Sequence, residues 1–131
     1  MCARCGADSG GRRFMRHEIP EITAQELSAR MKKGEKFTIL DVREHWELNY
    51  AHLTDERVIA LPTSQISRQR AEAFPANLRD PQAEIVVMCH HGVRSADVTG
   101  WMLTQGWKNV RSLRGGIAVY AEQVDPSVGR Y

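Results

Sequence analysis

The stretch Cys89-His90-His91-Gly92-Val93-Arg94-Ser95 gathers a thiol, two imidazoles, a glycine, a guanidinium and a hydroxyl within seven residues. The preceding run, Ile85-Val86-Val87-Met88, is apolar on both faces and reads as a buried strand. Ser95 to Gln105 reads as a helix, with Val98, Trp101, Met102 and Gln105 on one stripe and Gly106 as its stop. A strand, short loop and helix in this order put the Cys89 sulfur at the carboxyl end of a sheet. There the loop amides and the positive end of the following helix face it. Such donors favour anions, and thiolates in these places form at roughly pH 3.5–7.5 rather than about 8.5. Cys89 is therefore a candidate nucleophile that needs no dedicated base. Arg94 closes the loop with a planar fork of donors suited to a substrate oxyanion. The competing reading makes Cys89 a small buried hydrophobe and Arg94 a solvated residue at a helix start.

The residues between these two supply backbone rather than side-chain chemistry. The amides of His90, His91, Gly92, Val93 and Ser95 are the donors that would hold an anionic substrate. The imidazoles of His90 and His91 either line the pocket mouth and attract anions when protonated, or are solvated loop side chains. Asp41 and Arg43 stand at the end of another apolar strand. Arg43 is expected to pair with Glu47 and tie that segment against the sheet, and Asp41 is placed to hydrogen-bond the Cys89 loop. No metal is expected, because adjacent histidines with one cysteine do not converge on a tetrahedral ion. Cys2 and Cys5 form a C-x2-C pair that lacks the second pair a structural zinc site requires.

The elements that position these residues follow from the chain's periodicity. With 131 residues, 42% of them hydrophobic and 26% charged, the chain has the composition of one globular domain. Residues 1–18 are Gly-, Arg- and Ser-rich without periodicity and read as a flexible leader, and the domain is expected over residues 19–131. Thr23-Ala24-Gln25-Glu26 is a capping box that opens a helix running to about Lys33, followed by the strand Phe37 to Val42. A short helical stretch from Glu44 to Tyr50, a strand Val58 to Leu61 and a helix Ser64 to Phe74 come next. After the central segment come a short strand Asn109 to Leu113 and a last helix from Gly116 to about Gln123. Apolar strands separated by helices imply an α/β domain with a central, mostly parallel sheet covered by helices on both faces.

Charge and composition narrow the partners. Eighteen Lys and Arg against sixteen Asp and Glu give a net charge of +2, without a basic cluster, so no nucleic acid is expected. The longest apolar run, Ile85 to Cys89, falls far short of the roughly 18 residues of a membrane span, so no membrane association is expected. No secretory signal is visible, and three cysteines make no disulfide framework, which points to a reducing, cytoplasmic setting.

Four separated segments resemble the rhodanese-like domains. They are Glu21 to Leu27, Asp41-Val42-Arg43-Glu44-His45-Trp46-Glu47 with His52-Leu53, Cys89 to Ser95, and Arg114-Gly115-Gly116-Ile117-Ala118-Val119-Tyr120. The resemblance runs from Ile19 to about Gln123, departing at Ala51 and Tyr120 where the family commonly has Gly and Trp. It implies that Cys89 carries sulfur as a persulfide and that Arg94 orients the anion. The expected activity is a thiosulfate sulfurtransferase that works without a cofactor, taking sulfur from a small anionic donor and passing it to cyanide, a thiol or an acceptor protein. The loop from Cys89 to Arg94 has six residues, one fewer than in the related phosphatases, which suits sulfur over phosphate. The alternatives are a binding or redox-sensing module without turnover, and a Cys-dependent phosphatase or arsenate reductase.

Overall fold

The structure, a computed structural model, describes residues 15–131. Cys2, Cys5 and most of the expected leader lie outside the described residues. Five strands form one sheet: β1 (Glu21–Ile22), β2 (Thr38–Asp41), β3 (Val58–Ala60), β4 (Ile85–Met88) and β5 (Val110–Leu113). Their spatial order is β1-β5-β4-β2-β3 and all the pairings are parallel. The expected α/β architecture is present. Strand β1, missing from the sequence reading, has two residues and is fixed by pairing with Ser112 and Leu113. Too short to show an alternation, it exists because β5 offers it an edge.

Side chains on successive strand residues point to opposite faces, so each strand feeds two cores. Ile39, Val86, Met88 and Leu113 face α1 (Ala24–Lys32) and α4 (Gly116–Gln123). Leu40, Val87, Cys89 and Val110 face α2 (Thr63–Gln69) and α3 (Val93–Thr104). The capping box at α1 is made as expected: Thr23 Oγ1 accepts from the Glu26 amide at 3.1 Å, and Glu26 accepts from the Thr23 amide at 2.9 Å.

Two helices differ from their expected bounds. The helix from Ser64 breaks at Arg70, whose φ of 56° is left-handed, and continues as a 3₁₀ turn over Arg70–Ala73. This turn delivers Phe74 into the core, where its ring lies 4.9 Å from Trp107, whose Nε1 donates to the Leu78 carbonyl at 2.6 Å. Helix α3 starts two residues before the hydrophobic pattern does, because Gly92 in the left-handed region already turns the chain. Its inner face holds Ser95, Val98, Thr99 and Met102, whereas Gln105 is exposed. Two hydroxyl side chains on that face hide its period from hydropathy.

The chain leaves β2 toward β3 on one side, and leaves β4 toward β5 on the other. The carboxyl ends of β2 and β4 are therefore the topological switch point, where open α/β sheets hold their ligands. The Val42 amide bonds the Met88 carbonyl at 2.9 Å there, which fixes the ends of the two strands.

Candidate active site

Cys89 is the first residue past β4, and its side chain turns back under the loop, leaving the residue 1% exposed. Its sulfur accepts from the amides of Gly92 at 3.1 Å and Ser95 at 3.3 Å. The loop can wrap around the sulfur because its carbonyls are held on the outside. The Cys89 and His90 carbonyls accept from the Ile117 and Ala118 amides, at 2.9 and 3.0 Å, in the first turn of α4. That contact explains Gly116, whereas a Cβ on Gly115 would run into the Val119 side chain. A Cβ on Gly116, which has φ of 64°, would overlap the carbonyls of Cys89 and His90. Gly92, at φ 92°, approaches the Gly115 backbone less closely, its Cβ position lying 3.0 Å from the Gly115 nitrogen.

Beneath the sulfur lies a buried pair of hydroxyls. Ser95 Oγ is 3.5 Å from Cys89 Sγ and 2.7 Å from Ser112 Oγ on β5. Ser95 is thus on the floor of the site rather than at its entrance. Val93 turns its side chain to solvent.

Arg94, in the first turn of α3, is held by Glu47. Its Nη1 and Nη2 donate to the two carboxylate oxygens at 2.7 and 2.9 Å. Both groups are shifted toward their charged forms. Glu47 is lowered to about 2, first by the bonds from Arg94, and burial works against this. Arg94 is raised by the bonds to Glu47 and, to a smaller extent, by the nearby Cys89 sulfur. The guanidinium fork is oriented by protein, and a substrate oxyanion must share it with Glu47.

The expected pairing of Arg43 with Glu47 is not made. Arg43 is fully buried and turns back on Asp41, donating through Nε at 3.0 Å and Nη2 at 2.7 Å. Its Nη1 bonds the Ala51 carbonyl at 2.8 Å. The Asp41 carboxylate is occupied by Arg43, including the Arg43 amide at 3.2 Å, and does not serve the Cys89 loop. A fork two residues from a strand-end carboxylate reaches it without crossing the site, so the local partner wins and Glu47 is left for Arg94.

Tyr131 joins the two ion pairs. Its hydroxyl donates to Glu47 Oε1 at 2.8 Å and accepts from Arg43 Nη1 at 3.1 Å. Its ring stacks on His90, with centroids 3.8 Å apart and planes 9° from parallel. His90 in turn stacks on the exposed His91. Burial lowers the His90 pKa, and repulsion from His91 adds to the effect. The segment carrying Tyr131 is anchored by the His52 amide on the Val128 carbonyl at 2.9 Å and by a bridge between Ala51 and Gly129.

Cavities lie on both sides of the loop. One of about 300 Å³ has Arg94 and Arg70 among its lining residues. Another of about 240 Å³ is walled by His90, His91, Arg130 and Tyr131. Among the described residues there is no cluster of metal-ligating side chains.

Sequence reasoning missed the Glu47–Arg94 pair, Ser112 and Tyr131. A serine on the inward face of the strand Val110–Leu113, beside Val110, was a signal for the second. Tyr131 follows the last helix with no periodicity to place it.

A cysteine at the end of a central parallel strand, its sulfur held by the Gly92 and Ser95 amides and its loop closed by an arginine, defines an α/β anion-site fold. The chain belongs to the rhodanese-like domain family, whose model matches residues 23–123. It is 31% identical over 121 residues to the rhodanese-like/PpiC domain-containing protein 12, chloroplastic, of Arabidopsis thaliana. That match covers 88% of this chain and 38% of the plant protein. A rhodanese-related protein from Thermoplasma volcanium superposes with a TM-score of 0.62 at 28% identity, covering 80% of this chain and 93% of that one. A thiosulfate sulfurtransferase from Pseudomonas aeruginosa superposes with a TM-score of 0.65 at 27% identity, over 82% of this chain and 19% of that one. No helix among the described residues is long and apolar enough to cross a membrane.

Proposed function

We propose that the protein is a sulfurtransferase that moves sulfane sulfur from a small anionic donor such as thiosulfate to a nucleophilic acceptor, through a persulfide on Cys89. The observation that carries this reading is the Cys89 sulfur, buried under a six-residue loop with the Gly92 and Ser95 amides on it. So enclosed a thiolate admits a single protruding atom more readily than a phosphoryl group with its ring of oxygens, which favours sulfur as the group transferred.

In the first half-reaction the Cys89 thiolate attacks the outer sulfur of thiosulfate. The new S–S bond forms as the old one breaks, sulfite leaves with the bonding pair, and Cys89 becomes a persulfide. The loop amides hold the negative charge throughout, with donors already in place before the reaction begins. Arg94, fixed by Glu47 and lining the 300 Å³ cavity, attracts the sulfonate end of the donor. In the second half-reaction cyanide or a thiolate takes the terminal sulfur, and the Cys89 thiolate is the leaving group. The physiological acceptor in this scheme is a small thiol or a protein, and a reducing compartment such as the cytoplasm keeps Cys89 in its reactive form.

The test is mass spectrometry of freshly reduced protein after incubation with thiosulfate. Cys89 should gain one sulfur, about 32 mass units, that cyanide removes as thiocyanate, and Cys89→Ala should gain none while keeping its fold. Failure to gain cyanide-labile sulfur, from thiosulfate or from a persulfidated protein, overturns the proposal.

A further inference from the structure

We propose that Ser112 is a positioning residue for the Cys89 sulfur, acting through the Ser95 hydroxyl. The proposal rests on Cys89 being the nucleophile, as argued above, but on no particular donor or acceptor of sulfur.

The three groups form a line: Ser112 Oγ is 2.7 Å from Ser95 Oγ, and Ser95 Oγ is 3.5 Å from Cys89 Sγ. Ser95 and Ser112 are 0% and 1% exposed, so their hydroxyls have exchanged water for each other and for the sulfur. A serine hydroxyl has one proton and two lone pairs. A thiolate only accepts, so the Ser95 proton must turn to the sulfur. Ser95 can then meet Ser112 only as an acceptor, which makes Ser112 the donor. The chain in the thiolate state runs Ser112 O–H to Ser95 O–H to S⁻, and the first bond polarises the second.

When the sulfur is protonated the line can reverse, with S–H donating to Ser95 and Ser95 to Ser112. The two backbone donors on the sulfur, from Gly92 and Ser95, have no such freedom. The hydroxyl pair is therefore the part of the site that adapts to the charge state of the sulfur, and Ser112 sets which way Ser95 points. Placement follows from the sheet. Ser112 is in parallel register with Val87, two residues before the nucleophile, and its side chain shares the face of Val110, toward α3 and Cys89.

A double-mutant cycle read by thiol reactivity tests this without any sulfur donor. Alkylation of the Cys89 peptide by iodoacetamide is followed by mass spectrometry across pH, in the full chain, for wild type, Ser112→Ala, Ser95→Ala, the double variant and Ser112→Thr. In Ser112→Ala the pH midpoint should rise by about half a unit or more, the loss of one oriented donor to a charge. Ser112→Thr, which keeps the hydroxyl, should restore it. In the Ser95→Ala background Ser112→Ala should add less than about a third of its single effect, because its only route to the sulfur is gone. An unmoved midpoint in Ser112→Ala, or the same shift with and without Ser95, overturns the proposal. If Ser112→Thr does not fold, the cycle alone decides. Loss of sulfur transfer with this coupling intact would refute the sulfurtransferase reading and leave the role of Ser112 standing.

Discussion

Replacing Glu47 with glutamine removes the charge that holds Arg94 while keeping the shape of the side chain. The Glu47 carboxyl is lowered from 4.5 to about 2 by the bonds from Arg94 first, then by those from Tyr131 and the Glu44 amide, with burial opposing. A lowering of that size corresponds to about 3 kcal/mol of folding stability at neutral pH. The Arg94 side chain is 36% exposed, so solvent screening reduces the expected contribution to roughly 1–2 kcal/mol. Because the folded-state pKa is depressed, the contribution is complete above the unfolded value near 4.5 and fades as pH falls toward 2. The assay is urea unfolding of wild type and Glu47→Gln at a series of pH values. The gap between them should be constant from about pH 7 to 5.5 and shrink to under half its size by about pH 3. A gap within about 0.5 kcal/mol at pH 7, the range of an ordinary surface change, would refute the reasoning. So would a gap that does not change with pH, since it would show that the carboxylate charge is not what stabilises the pair.

Arg43→Met should destabilise the fold by about 3–5 kcal/mol in chemical denaturation, because it strands the Asp41 carboxylate in the core. Asp41→Leu added to it should recover much of that loss. Gly116→Ala should lower the melting temperature and slow the alkylation of Cys89, since its Cβ would push the Cys89 and His90 carbonyls off the start of α4. Tyr131→Phe should cost about 1–2 kcal/mol through the lost bonds to Glu47 and Arg43 while keeping the ring on His90. Tyr131→Ala should also expose His90, so that its pKa, followed by NMR, rises toward the ordinary value of 6.5.

The reactive loop was legible in the amino-acid sequence because everything that makes it is local. An apolar run that fits only a buried strand, a glycine able to take a left-handed turn and a helix start lie within about twenty consecutive residues, in an order that admits few geometries. The capping box of α1 and the alternation of strands with helices are local in the same way, and they carried the parallel α/β architecture with them. Strand β1 and the break at Arg70 were not legible. The first depends on an edge that β5 provides, and the second on where Phe74 must be delivered to meet Trp107.

The choice of partners for the charged and hydroxyl groups belonged to the tertiary structure. Asp41, Arg43, Glu47 and Arg94 permit more than one pairing of opposite charges, and composition is indifferent among them. The fold seats the Arg43 guanidinium against Asp41 and brings Glu47 to Arg94 across forty-seven positions of chain. Ser112 and Tyr131 reach the site from seventeen positions beyond Ser95 and eighty-four beyond Glu47. Local sequence decides which backbone shapes are cheap. Only the folded domain, by excluding water and fixing distances, decides which of several chemically equal partners a buried polar group must take.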